Sequence, residues 1–207
     1  MSKKGLLIVI SGPSGSGKDA VIEKLLEMDN NIVQSISATT RLPRVGEIEG
    51  KDYFFISEKD FCKAIAENKL MEYTKYCENY YGTFESFVEN SIENGKDVIL
   101  KIEVDGAEQI KIKCNESIRI FILPPSMEVL KKRLYNRGTE TAESLKKRLD
   151  RALNEINSSF KYDYIVVNDD MEKCAKNIYS IVSAEKLKTE RMKNVIEEVQ
   201  NNAKSIN

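Results

Sequence analysis

The chain has 207 residues, room for one compact domain with a core of its own or one domain carrying small inserted lobes. Its 32 Lys and Arg stand against 33 Asp and Glu, so nothing global points to nucleic acid or to an acidic membrane, and any anion site has to be local. There is no histidine, and Cys62, Cys77, Cys114 and Cys174 are far apart, which excludes the usual zinc spacings and histidine-based catalysis.

In chain order, the opening MSKKGLLIVISG is too brief in its apolar run for a signal core or a membrane span, so the cytoplasm is expected, with the cysteines as reduced thiols. Leu6 to Ile10 predicts a buried strand, and Lys18 to Glu27 a helix. From Ile32 to Tyr81 the texture turns aromatic and strand-like, in YFFI and MEYTKYCENYYG, with one short helix near Glu58 to Glu67. This reads as a separate mixed lobe inserted into the sheet domain. Strands follow at Val98 to Ile102, Ile118 to Leu123 and Tyr164 to Val167, and helices at Asp105 to Ile112, Met127 to Asn136, Ala142 to Asn157 and from Met171 onward. Short apolar runs alternating with helical stretches are the pattern of a parallel sheet with crossover helices. The charged stretch from Ala184 to the end predicts a solvated helix with a frayed tail.

The first chemical signal is SGPSGSGKDA, residues 11 to 20. Gly12, Gly17 and Lys18 fit G-x-x-x-x-G-K between a strand and a helix, where backbone amides and a helix N-terminus wrap a phosphate and the lysine reaches the terminal phosphates. The second is SISATTRLPRVGEIEGKDYFF, in which Arg41 and Arg44 flank Pro43 in a non-helical loop suited to gripping a phosphate, with a solvated basic loop as the bland alternative. The third is RLYNRGTETAESLKKRLDR, which sets Arg133, Arg137, Arg148 and Arg151 on a hinged helical hairpin able to close over developing negative charge. Nearby acids make ordinary salt-bridged helix surface the better account of Arg151.

GPSGSGK, SISATTRLPRVGEIEGKDYFF, NYYGT, LPPSMEVLKKRLYNRGTET and YDYIVVND occur in this order from about residue 5 to residue 185, and together they resemble the guanylate kinase family. The resemblance implies an α/β fold: a P-loop parallel sheet core with crossover helices, an inserted small mixed α/β GMP-binding lobe and a helical lid. One domain over residues 1–207 would divide into core 1–33, 85–125 and 160–187, lobe 34–84, lid 126–159 and a C-terminal helix and tail 188–207. The implied reaction moves the γ-phosphate of ATP to GMP with Mg2+. The implied partners are ATP and GMP, with no nucleic acid and no membrane, for a monomer or homodimer.

Carried over residue by residue, the resemblance puts ATP at Gly12, Pro13, Ser14, Gly15, Ser16, Gly17, Lys18 and Asp19, with Asn168 beside the adenine. Lys18, Arg133, Arg137 and Arg148 would serve the transferring group. Ser37, Glu72 and Thr83 would meet the guanine, Arg41, Arg44, Tyr53 and Tyr81 the GMP phosphate, and Glu103 would complete the GMP side. Guanine offers N1–H and an amine, two donors for a carboxylate, where adenine has an acceptor at N1.

Two departures stand out. Relatives usually carry a hydroxyl residue just after the loop lysine, where this chain has Asp19 and Ala20, and an acid where it has Lys101, followed by Glu103. Three accounts stay open: Asp19 and Lys101 face each other as a swapped pair; Asp19 is a direct or water-mediated magnesium ligand; or Asp19 complements a helix N-terminus. The functional alternatives are a paralogue with another acceptor nucleotide and a non-catalytic guanylate-kinase-like binding module. The second is disfavoured by the presence of Lys18 and the lid arginines.

Overall fold

The structure, a computed structural model, describes residues 4–76, 78–136 and 142–204. Cys77 and Arg137 therefore lie outside the described residues. In chain order the elements are β1 (Leu7–Ser11), α1 (Lys18–Met28), β2 (Ile32–Gln34), β3 (Ala38–Thr39), β4 (Phe54–Phe55), α2 (Glu58–Ala66), β5 (Leu70–Tyr76), β6 (Asn79–Phe84) and α3 (Glu85–Glu93). The second half holds β7 (Asp97–Lys101), α4 (Val104–Lys113), β8 (Ile118–Leu123), α5 (Met127–Tyr135), α6 (Ala142–Asn157), a 3-10 turn at Ser158–Lys161, β9 (Tyr164–Val167), α7 (Met171–Glu185) and α8 (Thr189–Lys204).

Five strands form a parallel sheet in the order β2-β7-β1-β8-β9. All five residues of β1 are buried, as expected of a central strand covered on both faces. One face packs Ile8 and Ile10 against Val21 and Leu25 of α1 and Ile178 of α7. The other packs Leu7 and Val9 against Val88 of α3 and Ile110 of α4. Each such side chain contributes about 1.5–3 kcal/mol by leaving water, so burial on both faces holds the sheet between helical layers.

A second sheet, β4-β3-β6-β5, is mixed and has its own small core around Phe61, Ala64 and Leu70. Helix starts carry local reasons: Ser57 accepts from Asp60 N at 3.1 Å, Ser126 from Val129 N at 3.2 Å and Asp170 from Lys173 N at 2.8 Å. These side chains satisfy amides that have no partner within the helix.

Three expectations need correction. Ile32–Gln34 belongs to the edge of the core sheet and not to the mixed lobe, because it pairs in parallel with β7. Helix α3 was not predicted from the sequence. The C-terminal stretch is two helices: α7 runs through Glu185, which is buried and accepts from the Tyr164 hydroxyl at 2.5 Å, and α8 starts only at Thr189. Among the described residues, no helix is long and apolar enough to cross a membrane.

Candidate active site

The loop between β1 and α1 lies at the carboxyl end of the sheet, where parallel folds place their ligands. Gly17 caps α1 with φ +91°, and an added Cβ would lie 2.3 Å from Asn168 Nδ2, so both backbone sign and space demand glycine. The Lys18 ammonium donates to the Gly12 carbonyl and, at 3.2 Å, to the Pro13 carbonyl. Burial lowers its pKa, while Glu103, Glu155 and Asp19 oppose that shift.

Two long-range groups brace the loop. Asn168 is buried; its Nδ2 donates to the Ser16 carbonyl at 2.7 Å. Arg133 donates to the Asn168 carbonyl at 3.0 Å and to the Ser16 carbonyl at 3.4 Å. Leu130 and Leu134 of α5 close on Gly15, 3.1 Å from where its Cβ would be. Arg133 thus ties the start of the helical hairpin to the phosphate loop, and the Asn168 side chain is engaged with that same loop.

A cleft of about 320 Å³ runs from Ser14, Gly17 and Lys18 to the mixed sheet, where Arg41, Tyr81 and Glu72 line its far part. Ser37, Arg44, Tyr53 and Glu103 also line it. Glu72 on β5 and Thr83 on β6 are register partners, and the threonine hydroxyl donates to Glu72 Oε1 at 2.7 Å. Glu72 is 2% exposed. Burial pushes its carboxyl up to about 7, against the Thr83 hydrogen bond and the Lys113 ammonium. Gly106 at the start of α4 makes room for it, since a Cβ there would stand 2.6 Å from Glu72 Oε2.

Arg41 is held by a carboxylate fork, with Nη2 and Nη1 donating to the Glu47 oxygens at 2.8 and 2.9 Å. Its guanidinium also stacks 5.4 Å from the Tyr53 ring centroid, and Tyr53 meets Tyr81 edge to face at 6.1 Å. Glu47 further accepts the Arg44 amide at 2.7 Å, so a single acid shapes the two-arginine loop. Neither tyrosine is fully buried, and both line the cleft.

The two sequence departures meet. Lys101 Nζ donates to Asp19 Oδ1 at 2.7 Å, the geometry of a swapped pair. Arg151 is salt-bridged helix surface as expected, pairing with Glu155 at 2.7 Å, and it also reaches Glu103 at the cleft at 3.5 Å. Arg148 lies on the exposed side of α6. Sequence reasoning missed Glu47, Gly106 and Glu155. Only Glu47 had a local signal, an acid six residues after Arg41 in the same short polar loop.

A parallel sheet whose first strand feeds a phosphate loop, braced by an arginine from a helical hairpin and facing a second lobe, defines a P-loop nucleotide kinase. The guanylate kinase family model matches residues 4–185, and the chain belongs to that family. A guanylate kinase of Clostridium tetani is 53% identical over 194 residues, covering 94% of this chain and 93% of the relative. One from Caldanaerobacter subterraneus subsp. tengcongensis is 47% identical over 195 residues, covering 94% and 95%. The crystal structure of guanylate kinase from Anaplasma phagocytophilum superposes with a TM-score of 0.75 at 36% identity, covering 91% of this chain and 90% of that one.

Proposed function

We propose that the chain is an ATP-dependent enzyme that moves the γ-phosphate of ATP to GMP, giving ADP and GDP. The observation that carries this reading is the buried Glu72–Thr83 pair at one end of a cleft whose other end is the phosphate loop. The Glu72 carboxylate would accept both guanine donors, with Ser37 and Thr83 beside it, and adenine would leave it unpaired. Arg41, Arg44, Tyr53 and Tyr81 would hold the GMP phosphate, and Glu103 would border it. The amides of residues 12–18 and the Lys18 ammonium would hold the ATP phosphates, with Asp19 at the head of α1 and Asn168 toward the adenine side.

Transfer needs alignment and charge neutralisation more than proton chemistry, so a chain without histidine loses nothing. Lys18, Arg133 and Arg148 would surround the transferring group, and Arg137, outside the described residues, would join them. In domain terms, with Gln34 in the core sheet, residues 35–84 would form the GMP lobe and 126–159 the lid.

The donor set fits magnesium that arrives with ATP and keeps much of its water. Among the described residues no three His, Cys, Asp or Glu side chains gather to form a cage, and Mg2+ is commonly held by one or two carboxylates plus phosphates. Glu103 would be its protein contact, since Lys101 holds the Asp19 carboxylate at 2.7 Å, and the ion would neutralise charge on the phosphates. Cys62, Cys114 and Cys174 are free thiols, which supports a reducing, cytoplasmic setting. The chain would act as a monomer or homodimer, without nucleic acid or membrane.

The test is ADP release with ATP and magnesium, offering GMP, dGMP, AMP, CMP and UMP separately. Rapid turnover with GMP and rates lower by orders of magnitude with AMP, CMP and UMP are expected. AMP turnover matching GMP, or no turnover with any acceptor, overturns the reading.

A further inference from the structure

We propose that Lys101 is a catalytic cation for the transferring phosphoryl group and that Asp19 is the residue that positions it. The inference rests on the reading of the cleft as the site of transfer from ATP to GMP.

Lys101 ends β7 and is in register with Ile10 of β1, just before the phosphate loop. Its side chain therefore leaves the carboxyl edge of the sheet beside that loop. It lines the same cleft as Gly17, Lys18, Arg41 and Arg44, the residues read above as holding the donor and acceptor phosphates. Asp19, in the first turn of α1, fixes the ammonium at 2.7 Å.

Stability does not account for the pair. The two side chains are 34% and 69% exposed, and such pairs contribute only about 0–1 kcal/mol. What the carboxylate supplies is orientation, since an unrestrained lysine stem samples many rotamers. The nearby Glu103 is shared with Arg151.

During transfer the bond from the γ-phosphorus to the ADP oxygen breaks and one to a GMP phosphate oxygen forms. Lys101 keeps its proton throughout and faces the charge spread over the equatorial oxygens. Stabilisation of that kind acts on kcat more than on KM.

The experiment compares the unaltered chain with Lys101→Met, Lys101→Arg, Asp19→Asn and the double variant Asp19→Asn/Lys101→Met. It reads kcat, KM, melting temperature, and ATP affinity by calorimetry in EDTA. Lys101→Met is expected to lower kcat roughly 30- to 300-fold, in the range of one lost charge-stabilising contact, with both KM values within about threefold and melting within about 2 °C, as for loss of a surface ion pair. Lys101→Arg should recover part of the rate. Asp19→Asn should cost roughly 3- to 10-fold with Lys101 present and nothing further in the Lys101→Met background, the non-additivity of residues acting as a unit. In EDTA, ATP should bind roughly 3- to 10-fold more weakly to Lys101→Met, the effect of removing one partly screened charge.

A kcat for Lys101→Met within twofold of the unaltered chain overturns the catalytic role. An equal effect of Asp19→Asn in both backgrounds overturns the positioning role. Failure of the unaltered chain to turn over GMP refutes the functional reading itself. The EDTA binding arm then decides the cation role alone, and equal ATP affinity in the unaltered chain and Lys101→Met refutes it.

Discussion

Replacing Glu72 by glutamine should make the protein more stable and a poorer guanine binder. The carboxyl is 2% exposed and its pKa is raised to about 7. Its folded-state value lies above the ordinary 4.5, so the neutral acid favours the fold. That contribution is fully present below about pH 4.5 and is lost as pH rises through about 7. The gap between 4.5 and about 7, at about 1.4 kcal/mol per pH unit, is about 3 kcal/mol. Glutamine keeps an oxygen for the Thr83 hydroxyl and carries no charge, so Glu72→Gln should gain about 1–3 kcal/mol in urea unfolding at pH 8 and little at pH 4.5.

Binding runs the other way. Guanine needs the carboxylate, so the GMP Kd of the unaltered chain, divided by that of Glu72→Gln to remove the phosphate's own ionisation, should rise roughly 25-fold from pH 7.5 to pH 5.5 for a group titrating at about 7. Isothermal calorimetry at five pH values measures it. A ratio flat across that range, or a Glu72→Gln chain less stable at pH 8, would refute the reasoning.

Further outcomes follow from the same geometry. Arg41→Lys loses the planar fork that now grips Glu47 at 2.8 and 2.9 Å, and the KM for GMP should rise roughly tenfold with that for ATP unchanged, because an ammonium cannot bind bidentately. Gly106→Ala puts a methyl 2.6 Å from Glu72 Oε2 and should raise the GMP KM more than about tenfold while leaving ATP binding within about twofold, in steady-state assays varying each nucleotide. Asn168→Ala removes the donor to the Ser16 carbonyl. It should lower unfolding free energy by about 1–2 kcal/mol in urea titrations and weaken ATP binding several-fold, since the Ser16 carbonyl loses the shorter of its two hydrogen bonds and keeps only the one from Arg133.

Much of this site was legible in the sequence because its phosphate loop is local. A strand, glycines, a lysine and a helix follow one another within about twenty residues, and each element carries its own propensity. The Asp19–Lys101 contact spans 82 positions, yet two compensating departures announced it. Other features had no local voice. Helix α3 follows Phe84, which offers no side-chain cap, and buries only Val88 fully, so neither a start signal nor a strong apolar stripe marks ESFVENSIE. Strand β2 is three residues long and gains its identity only from pairing with β7. The role of Glu72 came through family resemblance, while its burial depends on Thr83 from the neighbouring strand and on space left by Gly106 from a helix of the other lobe. The contact of Arg151 with Glu103 had no local signal, because the two are distant in sequence.

The central claim is that a buried carboxylate reads guanine at the acceptor end of a phosphoryl-transfer cleft. The most direct measurement is kcat/KM for GMP against IMP, which keeps the N1–H and lacks only the exocyclic amine. Loss of one hydrogen bond to a charged acceptor costs about 1.5–3 kcal/mol, so the account predicts GMP favoured by roughly 10- to 150-fold, with that preference largely lost in Glu72→Gln. Equal kcat/KM for GMP and IMP in the unaltered chain, or a preference that survives Glu72→Gln intact, would contradict it.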